Sequence, residues 1–270
     1  MLLSLSIGKY WAIFKVSWEN GLVYRVNFLV WRIRSILGLL LVYFIWWTTF
    51  QNQDEVFGYS RASMLTYIMV AAIIRAVILS SRVMDVSTHI NEGYVVNFLV
   101  KPLNFISFYF ARDLADKLMN IALVIVEILL LVLVLKPPLV FQTDPLILSF
   151  VALAIILGIV LYFLFAFIVS LLAFWLENTW GSFFLVFVFL ESLGGGIFPI
   201  DILPKTIANI LLATPFPYFI YFPSKIYTGT MEYSQIIQGF IVLSIWLFGL
   251  WLVAQRVLSA GLKKYTAFGY

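Results

Sequence analysis

Long apolar runs separated by short polar breaks dominate this 270-residue chain. The runs cover about Ser35–Phe50, Ala62–Ser81, Leu114–Leu135, Leu146–Leu176, Trp180–Gly194 and Ile236–Val257. They are continuous, without the alternating ten-residue segments of a membrane β-barrel, and several reach the ~20 residues with which a helix crosses a bilayer. The pattern predicts an all-α polytopic membrane protein with six transmembrane helices. The fourth run is longer than a bilayer requires, so it is expected to tilt or protrude.

Three stretches between these runs carry the other elements. Residues 1–34 interleave Lys9, Lys15, Arg25, Arg32 and Arg34 with Tyr10, Trp11, Trp18, Tyr24 and Trp31. Basic residues mixed with interfacial aromatics predict a helix lying in the membrane surface. A cytosolic tail is the alternative, but it leaves indoles in water. There is no compact apolar core followed by a small-residue cleavage site, so the stretch does not read as a cleavable signal. In residues 82–113, Val83, Val86 and Ile90 recur at spacings of three and four, one side of a short helix. Asp85, His89 and Glu92 fall on its other faces, Gly93 stops it, and Lys101-Pro102 prevents continuation. Residues 194–230 are apolar yet broken by Pro199, Pro204, Pro215, Pro217 and Pro223. No continuous helix passes through them. They predict a re-entrant helical hairpin between the fifth and sixth spans, shielded by protein or facing a wet cavity. An ordinary surface loop is the alternative, and Phe216, Tyr218, Phe219, Tyr221 and Phe222 suit the membrane better.

Composition narrows the class. Hydrophobic residues make up 63% and charged residues 11%, against about 25% charged in soluble domains. So few charges cannot cover a water-facing surface, and the solvent is lipid. The net charge of +4 fits the excess of Lys and Arg kept on the cytosolic side, so no nucleic-acid partner is expected. With the N-terminus inside, twelve of the 17 basic residues lie on the inner side. Arg61, Lys136, Lys205 and Lys225 lie outside and Arg75 falls within a span. Both termini and residues 82–113 are therefore expected in the cytosol, with residues 194–230 outside. The chain has no cysteine and one histidine, which excludes a disulfide framework, thiol chemistry and a multi-histidine metal site.

Catalytic motifs are missing. There is no phosphate loop ending in Gly-Lys-Ser or Gly-Lys-Thr, no Gly-x-Ser-x-Gly elbow and no His-Glu-x-x-His pair. The chain reads as a non-enzyme unable to use ATP alone. Three of the ionisable groups within spans, Arg75, Glu127 and Glu191, are candidate functional groups, since such groups usually face the bundle interior or a water path. Arg75 either extends its stem toward headgroups or pairs with an acid. Glu127 either faces a translocation route or is a hydrogen-bonded structural carboxyl. Glu191, just before Gly194-Gly195-Gly196, is the best candidate for a cavity-facing group. The three glycines allow close backbone approach, a hinge, or simply the end of the fifth span.

Three short elements carry a family resemblance: Leu-Val-Lys-Pro-Leu-Asn at Leu99–Asn104, Gly-x-Phe-Pro-Ile…Leu-Pro at Gly196–Pro204, and Pro-Phe-x-Tyr…Pro…Ile-Tyr-Thr-Gly at Pro215–Gly229. Their order and spacing, over nearly the whole chain, resemble the membrane subunit of type-2 ABC exporters, the bacterial six-span permeases without a fused ATPase. The resemblance implies one transmembrane domain over 1–270 and a homodimer or heterodimer with a related permease. A separate ABC ATPase subunit would bind ATP and Mg, and this chain would bind no cofactor. It also implies that 82–113 holds a coupling helix seated on that ATPase, with Val83, Asp85, Val86, His89, Ile90 and Glu92 as coupling residues. Glu127, Glu191, Phe198, Pro199 and Phe216 are the expected path or gate residues. The expected function is efflux of an amphiphilic or lipophilic cargo across the bacterial cytoplasmic (inner) membrane. The competing expectation is an ion-coupled secondary transporter working without an ATPase, which predicts mid-span helix breaks and inverted repeats. A membrane-embedded hydrolase needs a clustered acid–base pair, and none is visible.

Overall fold

The structure, a computed structural model, describes residues 2–23, 25–99 and 103–265. Helices dominate: α1 (Leu2–Val23), α2 (Arg25–Thr49), α3 (Arg61–Ile78), α4 (Asp85–Asn91), α5 (Val96–Leu99), α6 (Phe105–Leu135), α7 (Pro145–Leu171), α8 (Trp180–Leu193), α9 (Lys205–Leu212), α10 (Tyr221–Tyr227) and α11 (Tyr233–Lys264). Between α2 and α3 a minimal hairpin pairs β1 (Glu55–Val56) with β2 (Tyr59–Ser60). Its two-residue turn, Phe57-Gly58, has both φ angles positive, as such a tight antiparallel connection requires.

The helix ends follow local chemistry. The Ser60 hydroxyl accepts from the Ser63 N–H at 3.2 Å and starts α3. The Asn104 side chain accepts from the Ser107 N–H at 2.9 Å and starts α6. Asp144 caps α7 with Pro145 in its first turn, and Glu232 with Gln235 forms a reciprocal capping box on α11. Lys136, left-handed at φ 44°, ends α6 just before Pro137-Pro138.

The loops sort into two ends. At one, the Gln142 amide donates to the Tyr227 carbonyl (3.2 Å) and the Tyr59 hydroxyl to Asp201 (2.9 Å). At the other, the Asn91 amide donates to the Glu177 carbonyl (2.9 Å), and the Asn104 N–H to the Tyr10 hydroxyl (3.3 Å). Six helices, α2, α3, α6, α7, α8 and α11, run alternately between the proline-rich end and the α4 end. Helix α7 packs against α11, α10, α3 and α4, while α1 lies along α6.

Four of these helices are long and apolar enough to cross a membrane: α3, α6, α7 with its 3-10 extension to Phe174, and α11. Helix α8 is apolar but only 14 residues long, and α2 carries Arg25, Arg32 and Arg34. Leu129, Leu133, Val134, Leu185, Ile245 and Phe248 are exposed, so the outer surface is apolar, as a lipid-facing surface must be.

Several boundaries differ from the sequence expectation. Of the stretch expected as one helix over 1–34, residues 2–23 form α1 and residues 25–34 belong to α2, which continues to Thr49, so Arg32 and Arg34 share a helix with the first apolar run. Residues 105–113, expected within the loop, form the start of α6. Residues 194–230 hold short 3-10 turns at Ile200–Ile202 and Phe216–Tyr218 together with α9 and α10, with no continuous helix. The expected break at Lys101-Pro102 lies outside the described residues.

Candidate coupling and gating sites

Helix α4 is amphipathic, and its apolar side faces its own chain. Val83, Val86 and Ile90 are 2%, 0% and 5% exposed. They pack in a core with Phe105, Tyr109, Phe163, Phe167 and Leu171 from α6 and α7. Val83, Val86 and Ile90, expected among the coupling residues, are buried against their own chain and anchor α4. The outward face consists of Met84, Thr88, Asn91 and Glu92, with Asp85 and His89 half-buried at its edges. The His89 Nδ1 hydrogen-bonds with the Tyr109 hydroxyl at 2.7 Å. Burial and then Arg112 hold the His89 pKa below the ordinary 6.5, against the opposing pull of Asp85 and Glu92.

A charged interlock ties α4 and the segment before it to α6. Arg112 donates to Asp85 at 2.7 Å, and Arg82 pairs with Asp116 at 2.9 Å. The Lys117 ammonium, 1% exposed, donates to the carbonyls of Ile78 (2.7 Å) and Ser80 (2.6 Å). It thereby satisfies carbonyls at the C-terminal end of α3, and it lies 3.4 Å from Asp113. Asp113 accepts from the Ser81 hydroxyl. The Ser170 hydroxyl of α7 donates to the Val83 carbonyl at 2.9 Å. Asp113, Asp116 and Lys117 lie outside the set of site residues expected from sequence. Their one signal is the string Arg112-Asp113-Leu114-Ala115-Asp116-Lys117, in which opposite charges recur one turn apart.

The intramembrane carboxylates are both paired. Glu127 on α6 meets Arg32 on α2, and Glu191 on α8 meets Arg75 on α3. Of the two readings of Arg75, pairing holds. Glu127 accepts a hydrogen bond from Arg32. Pairing across helices removes most of the penalty of a lone charge in lipid.

At the proline-rich end the hairpin lies closed on α2 and α3. The Tyr67 hydroxyl donates to the Gly195 carbonyl at 2.6 Å, and the Trp46 indole to Ile197 at 2.9 Å. Gly195 has φ +78°, and a Cβ there would meet the Tyr221 Cβ at 2.7 Å and the Tyr67 hydroxyl at 3.0 Å. The close-approach reading of the glycines is the one realised. Lys225, 8% exposed, donates to Asp201 (2.6 Å) and to the Tyr59 hydroxyl (2.5 Å). Burial and the Asp201 charge raise the Tyr59 pKa, keeping the phenol a donor. Tyr59, Asp201 and Lys225 were not foreseen, because they come from three distant segments. Phe198 is half-buried, Pro199 is buried, and the Phe216 ring stacks on Phe189 of α8 at 5.9 Å. Glu191, Phe198, Pro199 and Phe216 thus belong to α8 and the hairpin that follows it, whereas Glu127 is engaged by α2. Among the described residues no group of three His, Cys, Asp or Glu can hold a metal ion.

An apolar helical bundle with paired internal charges, a short amphipathic helix at one end and a proline-broken hairpin at the other defines a polytopic membrane protein. Residues 36–269 match the model of the ABC-2 family transporter protein. The chain belongs to that family and is a permease of an ABC transporter. A search of curated proteins gave no match.

Proposed function

We propose that this permease serves an exporter of an amphiphilic or lipophilic cargo in the bacterial cytoplasmic membrane. It makes six helical crossings, keeps both termini in the cytosol, and works with a second permease of the same or a related kind. A separate nucleotide-binding subunit sits beneath α4 and hydrolyses ATP with Mg. The observation that carries this reading is the double character of α4. Its buried side is locked to α6 and α7, while Met84, Thr88, Asn91 and Glu92 face outward. A push on the outward face is then delivered to three long helices at once, through Val86 and Ile90 to α7, through Asp85 to α6, and through Lys117 to α3. The hairpin, closed by Tyr67 and Trp46, acts as the outer gate. The ion-coupled alternative loses support from the ion pairs: Glu127 and Glu191 must each leave an arginine before taking up a proton.

The test uses the permease co-expressed with its nucleotide-binding subunit. Met84→Asp combined with Thr88→Arg should lower association and cargo-stimulated ATP turnover at least tenfold, with permease melting unchanged. Unaltered association and turnover would refute docking on α4.

A further inference from the structure

The turn from α7 to α8 stands directly beside α4. The Asn91 side chain donates to the Glu177 carbonyl at 2.9 Å, and a cleft of roughly 260 Å³ opens between the two elements. Met84, Thr88 and Asn91 form one wall; Glu177, Asn178 and Trp180 form the other. Trp180 is 64% and Met84 44% exposed. The turn itself is fixed: Thr179 is buried, and the Asn178 side chain accepts from the Trp180 N–H at 2.8 Å, starting α8. That leaves the exposed Glu177 carboxylate without a capping role, and among the described residues it forms no ion pair. Asp85, the other carboxylate lining the cleft, is paired with Arg112 at 2.7 Å.

A cleft with the Glu177 carboxylate and an exposed indole in one wall matches one kind of occupant. A guanidinium pairs with a carboxylate and stacks flat on an indole, whereas a compact ammonium does only the first well. The volume has room for about one long side chain. We propose that the Glu177–Trp180 turn is a second contact for the nucleotide-binding subunit, which seats an arginine in the cleft between the turn and α4. This rests on the docking reading of α4 and extends it. Thrust would enter α8 at its first residue as well as α6 and α7 through α4. Helix α8 carries Glu191, paired with Arg75, and leads directly into the closed hairpin at Gly194. One partner surface would thus move the α4 anchor and the helix that feeds the gate together.

A photoreactive amino acid placed at Asn178, and in a separate variant at Thr88, tests this in the full permease–ATPase complex. Both positions should capture the same nucleotide-binding subunit, and the peptide captured from 178 should contain an arginine. Glu177→Lys should weaken association at least tenfold without lowering permease melting. Capture at 88 but not at 178, a captured peptide without arginine, or an inert Glu177→Lys overturns this inference and leaves α4 docking intact. No capture at either position overturns the docking reading as well.

Discussion

The two ends of the bundle are held shut by different chemistry. At the α4 end, Arg82, Asp85, Arg112, Asp113, Asp116 and Lys117 form buried or half-buried ion pairs, and Lys117 also holds carbonyls at the end of α3. At the proline-rich end the one ion pair among the described residues, Lys225–Asp201, lies within the hairpin, whereas the bonds from the hairpin to α2, α3 and α11 run from one aromatic side chain to one backbone carbonyl: Trp46 to Ile197, Tyr67 to Gly195, Trp246 to Ala213. A single neutral hydrogen bond contributes about 1 kcal/mol net, and each can open on its own. Removing one partner of a buried charge pair costs about 3–5 kcal/mol, because the other charge is stranded. The α4 end is therefore built to move as one body, and the hairpin end to release in small steps. A transporter driven from one end and gated at the other needs that asymmetry.

The largest expected effect breaks the rigid end. Lys117→Met strands Asp113 and frees the Ile78 and Ser80 carbonyls, and should destabilise the permease by about 3–5 kcal/mol in detergent unfolding. Adding Asp113→Leu should recover much of that loss, since the stranded charge is gone. A smaller effect belongs to the hairpin. Gly195→Ala must hold a left-handed backbone, about 1–2 kcal/mol, and displace Tyr67 or Tyr221. The outcome should be local: the global unfolding midpoint moves less than for Lys117→Met. The chain has no cysteine, so a single cysteine at Ile197 reports hairpin opening as faster maleimide labelling in the Gly195→Ala background. Equal global losses for both variants would erase the contrast between the ends.

The smallest effect is a pH dependence. His89 titrates below 6.5 in the folded chain, chiefly through burial. Above 6.5 the imidazole is neutral in folded and unfolded chains alike, and its environment carries no penalty. As pH falls from 6.5 through the folded-state value, the unfolded chain takes up the proton first, so stability declines in that window. His89→Gln should flatten the decline in a melting series between pH 7.5 and 5.5.

Much of this asymmetry lies beyond local sequence patterns. The three-and-four spacing of Val83, Val86 and Ile90 is enough to place α4, and Gly93, at φ +82°, follows as its stop. Periodicity reports that a helix has an apolar side but not what covers it, and here the cover is α6 and α7. The hairpin is legible because five prolines exclude a continuous helix whatever surrounds them. Arg32 looks interfacial beside its aromatic neighbours because Glu127, the acid that lets it enter the bundle, stands 95 residues away. The same separation hides the Tyr59, Asp201 and Lys225 knot. The charges of 112–117 are local and visible, but only the fold reveals that Lys117 reaches the end of α3.

The most direct test of a driven α4 end uses one cysteine, Thr88→Cys, in this cysteine-free chain. Labelling by a membrane-impermeant maleimide is measured in inside-out and right-side-out vesicles, with and without the nucleotide-binding subunit. The account predicts labelling in inside-out vesicles alone, suppressed when the subunit is bound. Labelling in right-side-out vesicles, or equal labelling with the subunit present and absent, would contradict it.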